Sequence, residues 1–205
     1  MECVDSGREV ECVLKDTITF VPDVRYGRVV KVYDGDTITI GAKLYPIRAN
    51  SPIYRFSVRL NGIDTPELKG SSPEEHEIAV IARDWLSEMI MGKMVSLENV
   101  SFEKYGRLLA TVYLLVPEEG WGGWRRKLGW KVVQKLKREQ TSLNQQMIKF
   151  HFAVPYDGGH KDQRNWREHY LSGSDVRASD VRASQIPVGK GVVSGHSKEN
   201  IVVKI

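Results

Sequence analysis

The sequence predicts an α+β protein with a mostly β core: a small five-stranded OB-type Greek-key barrel with about three helices around it. Two observations carry this reading. Strand-like runs fill residues 17–63 and return at 93–98 and 107–116. One strongly signalled helix separates the third barrel strand from the fourth, and further helical periodicity follows only after the fifth.

The elements follow in order. Residues 17–21 (Thr-Ile-Thr-Phe-Val) are rich in β-formers. Residues 26–33 alternate around Val29, Val30, Lys31 and Val32, and Asp34-Gly35 turns that run into Thr37-Ile38-Thr39-Ile40. The next strand spans 55–60 and is turned by Asn61-Gly62. The helix opens with Ser72 as N-cap and Pro73 at its first position, and Glu75 closes a capping box. Ile78, Ala82, Trp85 and Met89, with Ile81 beside them, form its apolar face, and Gly92 caps its end. Strands at 93–98 and 107–116 follow, the second entered through Lys104-Tyr105-Gly106. Leu143, Met147 and Ile148 mark a short helix at 143–150, and Trp166 with Tyr170 another at 160–171.

This places an N-terminal extension at 1–24, the barrel domain at 25–171 and a linker-like tail at 172–205, with an insertion at about 117–141. Within the insertion, residues 125–138 are mostly basic, with Leu128, Val132 and Leu136 on one helical face. Such a basic helix can bind nucleic acid, a membrane surface or an acidic partner, or simply dock on the protein's own surface. In the tail, Ser174-Asp175-Val176-Arg177-Ala178 is repeated at once by Ser179-Asp180-Val181-Arg182-Ala183, and Gly, Ser and charge dominate up to Ile186. Residues 201–205 could form a short strand or docking segment.

Composition excludes several classes. With 41% hydrophobic and 27% charged residues in 205, the chain can bury a core like other soluble globular proteins. Cys3 and Cys12 are the only cysteines, too few for a disulfide framework or a four-thiolate zinc site. The five histidines show no His-x-x-x-His pairing. Asp5, Arg8, Glu9 and Glu11 stand where a signal peptide would be apolar, and no apolar run reaches the ~20 residues a membrane helix needs. A soluble, intracellular monomer is expected. The net charge of +4 permits a polyanionic partner without requiring one.

Each polar motif alone reads as a turn or strand end. Together, Asp36, Asp64, Glu67, Arg59 and Arg107 place three carboxylates and two guanidiniums at the ends of strands in one barrel segment. Phosphodiester hydrolysis needs such a set. A hard divalent cation takes oxygen ligands, here Asp36, Asp64 and the backbone carbonyl of Thr65. Glu67 is the candidate to orient the attacking water or take its proton. The planar fork of Arg matches phosphate geometry and stabilises charge that develops there. No Ser, Cys or His nucleophile is required.

The strings Tyr33-Asp34-Gly35-Asp36-Thr37, Val58-Arg59-Leu60-Asn61-Gly62-Ile63-Asp64-Thr65-Pro66-Glu67 and Glu103-Lys104-Tyr105-Gly106-Arg107-Leu108-Leu109-Ala110 closely resemble those of staphylococcal nuclease and its relatives, in the same order. The resemblance covers about 26–116 and resumes at about 142–161. It implies a calcium-dependent endo- and exonuclease acting on DNA and RNA with little sequence specificity and leaving 3′-phosphate ends. Magnesium or manganese would suit the same ligands. By resemblance, Asp36, Asp64 and Thr65 are metal ligands, Glu67 handles the water, and Arg59 and Arg107 grip the phosphate. Lys104 and Tyr105 resemble residues near the terminal phosphate of the nucleotide, and Tyr156 loosely matches a tyrosine that packs on base or sugar. The alternative is a catalytically idle module that binds nucleic acid or protein on the same fold.

Overall fold

In the computed structural model, residues 3–5, 8–10, 13–44, 52–70, 72–103, 105–117, 136–159 and 164–184 are described. Among the described residues ten strands form: β1 (Cys3–Asp5), β2 (Arg8–Val10), β3 (Tyr26–Val32), β4 (Thr37–Ala42), β5 (Tyr54–Leu60), β6 (Ile63–Asp64), β7 (Met94–Phe102), β8 (Leu108–Pro117), β9 (Leu136–Arg138) and β10 (Val154–Pro155). The helices are α1 (Pro73–Ile90), α2 (Leu143–Lys149), α3 (Trp166–Ser172) and α4 (Ser174–Ser184). Strands run in the order β5-β4-β3-β7-β8, and a parallel pairing of β5 with β8 closes them into a barrel. This is the five-stranded OB-type α+β fold expected from the sequence.

The barrel closes because its strands can bend. β3 carries a register shift between Val29 and Lys31, and β7 another between Glu98 and Ser101, where Asn99 takes φ 53°. Such bulges add the twist that a small barrel requires. Alternation then sends Ile38, Ile40, Val58, Leu60, Leu108 and Ala110 inward, each at most 1% exposed. The residues between them face outward, and that alternation decides where the polar groups stand.

Two helices cap the core. Ser72 accepts from Glu75 N at 3.1 Å and Pro73 opens α1, so the start of the helix is as expected. The capping box is not completed, however: Glu75 Oε1 accepts instead from Glu67 N at 3.2 Å, tying the loop after β6 to the helix. The buried stripe of α1 is Ile78, Ala79, Ala82, Leu86 and Ile90. Trp85 and Met89 are its partly buried flank rather than its centre, and Trp85 packs on Phe150 and Phe152. Gly92 follows at φ +72°, where any side chain would be strained. On α2, buried Asn144 donates to Asn61 O and Ala110 O and accepts from Val112 N. It thereby fixes the turn after β5 to β8.

Three expectations are corrected. Residues 17–21 form no strand; Ile18 and Phe20 are 93% and 73% exposed, since β-propensity without a neighbouring edge makes no ladder. Leu136–Arg138 is a strand paired with Leu115–Pro117, not part of a helix; the rest of the basic segment, at 125–135, lies outside the described residues. Residues 174–184, read as linker, form helix α4. Arg177 docks it by donating to Phe150 O and Tyr170 O, with its guanidinium 3.7 Å from the Tyr170 ring centroid. The segment 201–205 lies outside the described residues, as do 160–163, so the third helix is observed only as Trp166–Ser172. No described helix is long and apolar enough to cross a membrane.

Candidate active site

Four segments converge on one end of the barrel's outer surface. Asp36 ends the Asp34-Gly35 turn and precedes β4, and Leu60 N donates to its carbonyl at 2.7 Å. Thr37, first in β4, lies opposite Arg59 on β5, and Arg59 lies beside Leu109 on β8 in the parallel register. Since Val58, Leu60 and Leu108 point into the core, Arg59 and Arg107 are turned to the other face. Asp64 comes from β6, which pairs with Val154–Pro155.

Their side chains form one connected chain. Arg59 Nη2 is 2.7 Å from Asp36 Oδ2 and 3.4 Å from Asp64 Oδ1, with 12%, 5% and 8% of the three side chains exposed. Thr37 Oγ1 donates to Asp36 Oδ1 at 2.7 Å and accepts from Arg107 Nη1 at 3.4 Å. Glu103 grips Arg107 with both oxygens, Oε1 lying 2.8 Å from Nη2. That bidentate pairing, above all its hydrogen bonds, holds the Arg107 guanidinium more firmly protonated than usual.

Asp36 is the strained member. Burial pushes its carboxyl up to about 7; Arg59 opposes that rise, and the nearby Asp34 carboxylate adds to it. Two nearly buried carboxylates thus share one guanidinium. A cation placed beside them would relieve that shortage of positive charge, so the donor set fits a hard metal ion. The fit is limited to those two side chains: among the described residues, no three Asp, Glu, His or Cys groups come together as a metal cluster. Backbone carbonyls and water would have to complete the shell.

Thr65 is buried, and its side chain packs on Gly35; a Cβ on Gly35 would meet it at 3.1 Å. The absence of a side chain at position 35 lets the Asp36 turn and the Asp64-Thr65 loop approach without Thr65 having to shift by a few tenths of an ångström. Beside Asp64 opens a cleft of about 430 Å³, lined by Gly62, Tyr156, Asp157, Arg164 and Trp166 among others. Tyr156 donates its hydroxyl proton to Gly159 O.

Of the residues singled out from the sequence, Asp36, Arg59, Asp64 and Arg107 are therefore brought together, with Thr65 against their turn and Tyr156 in the adjoining cleft. Glu67 stands exposed on the loop held by Glu75, and Tyr105 is 72% exposed. Lys104 lies outside the described residues. Sequence reasoning passed over Thr37 and Glu103, which link and clamp the set. Both stood within the quoted strings, and Glu103 sits four residues before Arg107, but neither is a charged group acting on phosphate.

The staphylococcal nuclease homologue family model matches residues 57–179, well over half of the chain. That span includes Arg59, Asp64 and Arg107, while Asp36 lies before it. Among curated proteins, one similar to this chain is a protein named "Probable endonuclease LCL3" from Coccidioides posadasii (strain C735), 30% identical over 155 residues. That alignment covers 69% of this chain and 46% of the relative. A protein of the same name from Komagataella phaffii (strain GS115 / ATCC 20864) is 29% identical, with 48% of each chain covered. An "Uncharacterized endonuclease" of Escherichia coli O157:H7 is 32% identical over 88 residues, covering 43% of this chain and 48% of its own. The chain spans just under half the length of these relatives. Closed into an OB-type barrel and matched by the family model across most of that barrel, the chain belongs to the staphylococcal nuclease homologue family.

Proposed function

We propose that this chain is a calcium-dependent endonuclease that hydrolyses phosphodiester bonds of DNA and RNA with little sequence choice. The observation that supports this best is the convergence of Asp36, Asp64, Arg59 and Arg107 from separate segments into one polar chain. The nuclease unit is the barrel domain of residues 25–171 together with helix α4, which docks on it through Arg177, acting as a monomer.

Asp36, Asp64 and the Thr65 carbonyl would hold the cation, which would supply Lewis-acid polarisation of a phosphoryl oxygen and offset transition-state charge; the same oxygens would also accept magnesium or manganese. Arg59 and Arg107 bind the non-bridging phosphate oxygens, where each fork can make two charge-assisted hydrogen bonds. To do so, each exchanges part of a carboxylate partner for the phosphate. Glu103 keeps Arg107 aimed while it does this. Glu67 orients a water and takes its proton as the water oxygen bonds to phosphorus. The bond from phosphorus to the 5′-oxygen breaks, the leaving oxygen acquires a proton, and a 3′-phosphate end remains. Lys104 and Tyr105 contact the neighbouring phosphate, and Tyr156 packs on base or sugar in the cleft beside Asp64.

Digestion of single- and double-stranded DNA and of RNA, with calcium, with magnesium and with a chelator, tests this. Cutting of all three that needs calcium and stops with chelator supports the proposal. Binding without cutting under every metal would leave an idle nucleic-acid-binding module on the same fold.

A further inference from the structure

A second polar cleft, of about 300 Å³, lies on the barrel's outer face and is not part of the site above. Its walls include Arg25, Tyr26, Ser96, Glu98, Leu115 and Arg138. Tyr26 pairs with Ser96 across β3 and β7, and Leu115 with Arg138 across β8 and β9. Asp36 lies beyond the opposite end of β3, so at ~3.3 Å per residue the two sites are roughly 20 Å apart.

Several features of the cleft suit a nucleic-acid strand. Val95 and Leu97 point into the core, so Ser96 between them faces the cleft. Ser96 is 6% exposed, and its hydroxyl has no hydrogen-bond partner, which is uncommon for a buried polar group and calls for an explanation. Arg25 forks onto Asp23 with Nε and Nη2, and Arg138 pairs with Glu98 while its guanidinium lies 4.1 Å from the Tyr113 ring centroid. Arg25 is thus already posed for a two-oxygen anion, and Arg138 already holds one carboxylate oxygen through Nη1. Their ion pairs are about half exposed, a setting in which such pairs are weak and exchange readily. Tyr26 is 40% exposed and offers a ring at the same edge. Arginine forks with an aromatic platform are how single strands are held without sequence choice. The cleft, at about 300 Å³, exceeds what a lone phosphate fills.

We propose that this cleft is an exosite for single-stranded nucleic acid: Arg25, Arg138 and the Ser96 hydroxyl take backbone phosphates, and Tyr26 stacks a base. It rests on the reading of the chain as acting on nucleic acid, and it predicts that long strands bind better than short ones.

Fluorescence anisotropy with labelled oligothymidylates of about 16 and about 4 nucleotides tests this in chelator, where nothing is cut. The double variant Arg25→Ala/Arg138→Ala should weaken binding of the long strand about 10-fold and leave the short strand unchanged. Its log affinity should fall less steeply with log salt, by about 1.4, for two lost phosphate contacts on a single strand. Ser96→Ala removes only an unpartnered hydroxyl, so it should keep the melting temperature while losing a few-fold of long-strand affinity. Unchanged long-strand binding and salt slope in the double variant would overturn the exosite, as would equal losses on both lengths. Length-dependent binding without cutting in calcium would keep the exosite and refute only the nuclease reading. No binding of either length by the wild type would refute both.

Discussion

Arg59→Ala should destabilise the protein in a strongly pH-dependent way. The guanidinium is the shared partner of Asp36 and Asp64, whose side chains are 5% and 8% exposed. Its removal leaves two buried carboxylates without their cation, and stripping one partner from a buried pair costs about 3–5 kcal/mol. We take about 3 kcal/mol at pH 8, because Asp36 can limit the penalty by taking up a proton. The sign follows from its raised pKa. A carboxyl lifted from 3.8 to about 7 by burial favours its neutral form in the folded protein. Its contribution to stability is therefore present in full below about 3.8 and is lost as pH rises through about 7. Without Arg59, which lowers that pKa, the neutral form persists to still higher pH. At pH 5 Asp36 is neutral in both proteins, so only the pairing to Asp64 is lost, at about 1 kcal/mol. Urea denaturation of wild type and variant at pH 5 and pH 8 measures both gaps. Equal losses at the two pH values would refute the account of Asp36, and a loss below about 0.5 kcal/mol at pH 8 would refute the buried pairing.

Other outcomes follow from the same geometry. Glu103→Gln should keep the fold but loosen Arg107, lowering kcat about 10-fold with KM little changed, as read from initial rates. Gly35→Ala places a methyl 3.1 Å from Thr65, so thermal melting should show a loss of about 1–2 kcal/mol, together with weaker calcium binding as the two loops separate. Calcium affinity measured by titration calorimetry should rise as pH increases from 5 and level off above about 7, because the ion must displace the Asp36 proton. Asn144→Ala strips partners from Asn61 O, Ala110 O and Val112 N and should cost about 2–3 kcal/mol in chemical denaturation.

Much of this fold could be read from local chemistry. Ser72, Pro73 and Gly92 bound α1 because capping is decided by the residue itself, and Asp34-Gly35 turns β3 into β4 for the same reason. The four charged residues that meet were identifiable because their strings occur together. What stayed hidden depends on partners distant in sequence. Glu75 has the residue type for a capping box, yet its carboxylate is drawn to Glu67 N. Helix α4 is built from a polar repeat with little apolar content, and its docking rests on Arg177 meeting two carbonyls and an aromatic ring, which hydropathy does not register. Residues 17–21 show the reverse case: strong strand formers with no edge to join. Thr37 and Glu103 became visible only when their neighbours' geometry was known.

The most direct test of the central claim is the single-turnover rate of DNA cleavage in calcium for wild type and Arg59→Ala, with variant folding verified at the pH of the assay. Loss of one fixed donor to the phosphate transition state predicts a fall of about 10²–10³-fold in the variant and no cutting by either protein in chelator. Equal rates in the two proteins, or cutting that persists in chelator, would contradict the assignment of this site as a metal-dependent nuclease centre.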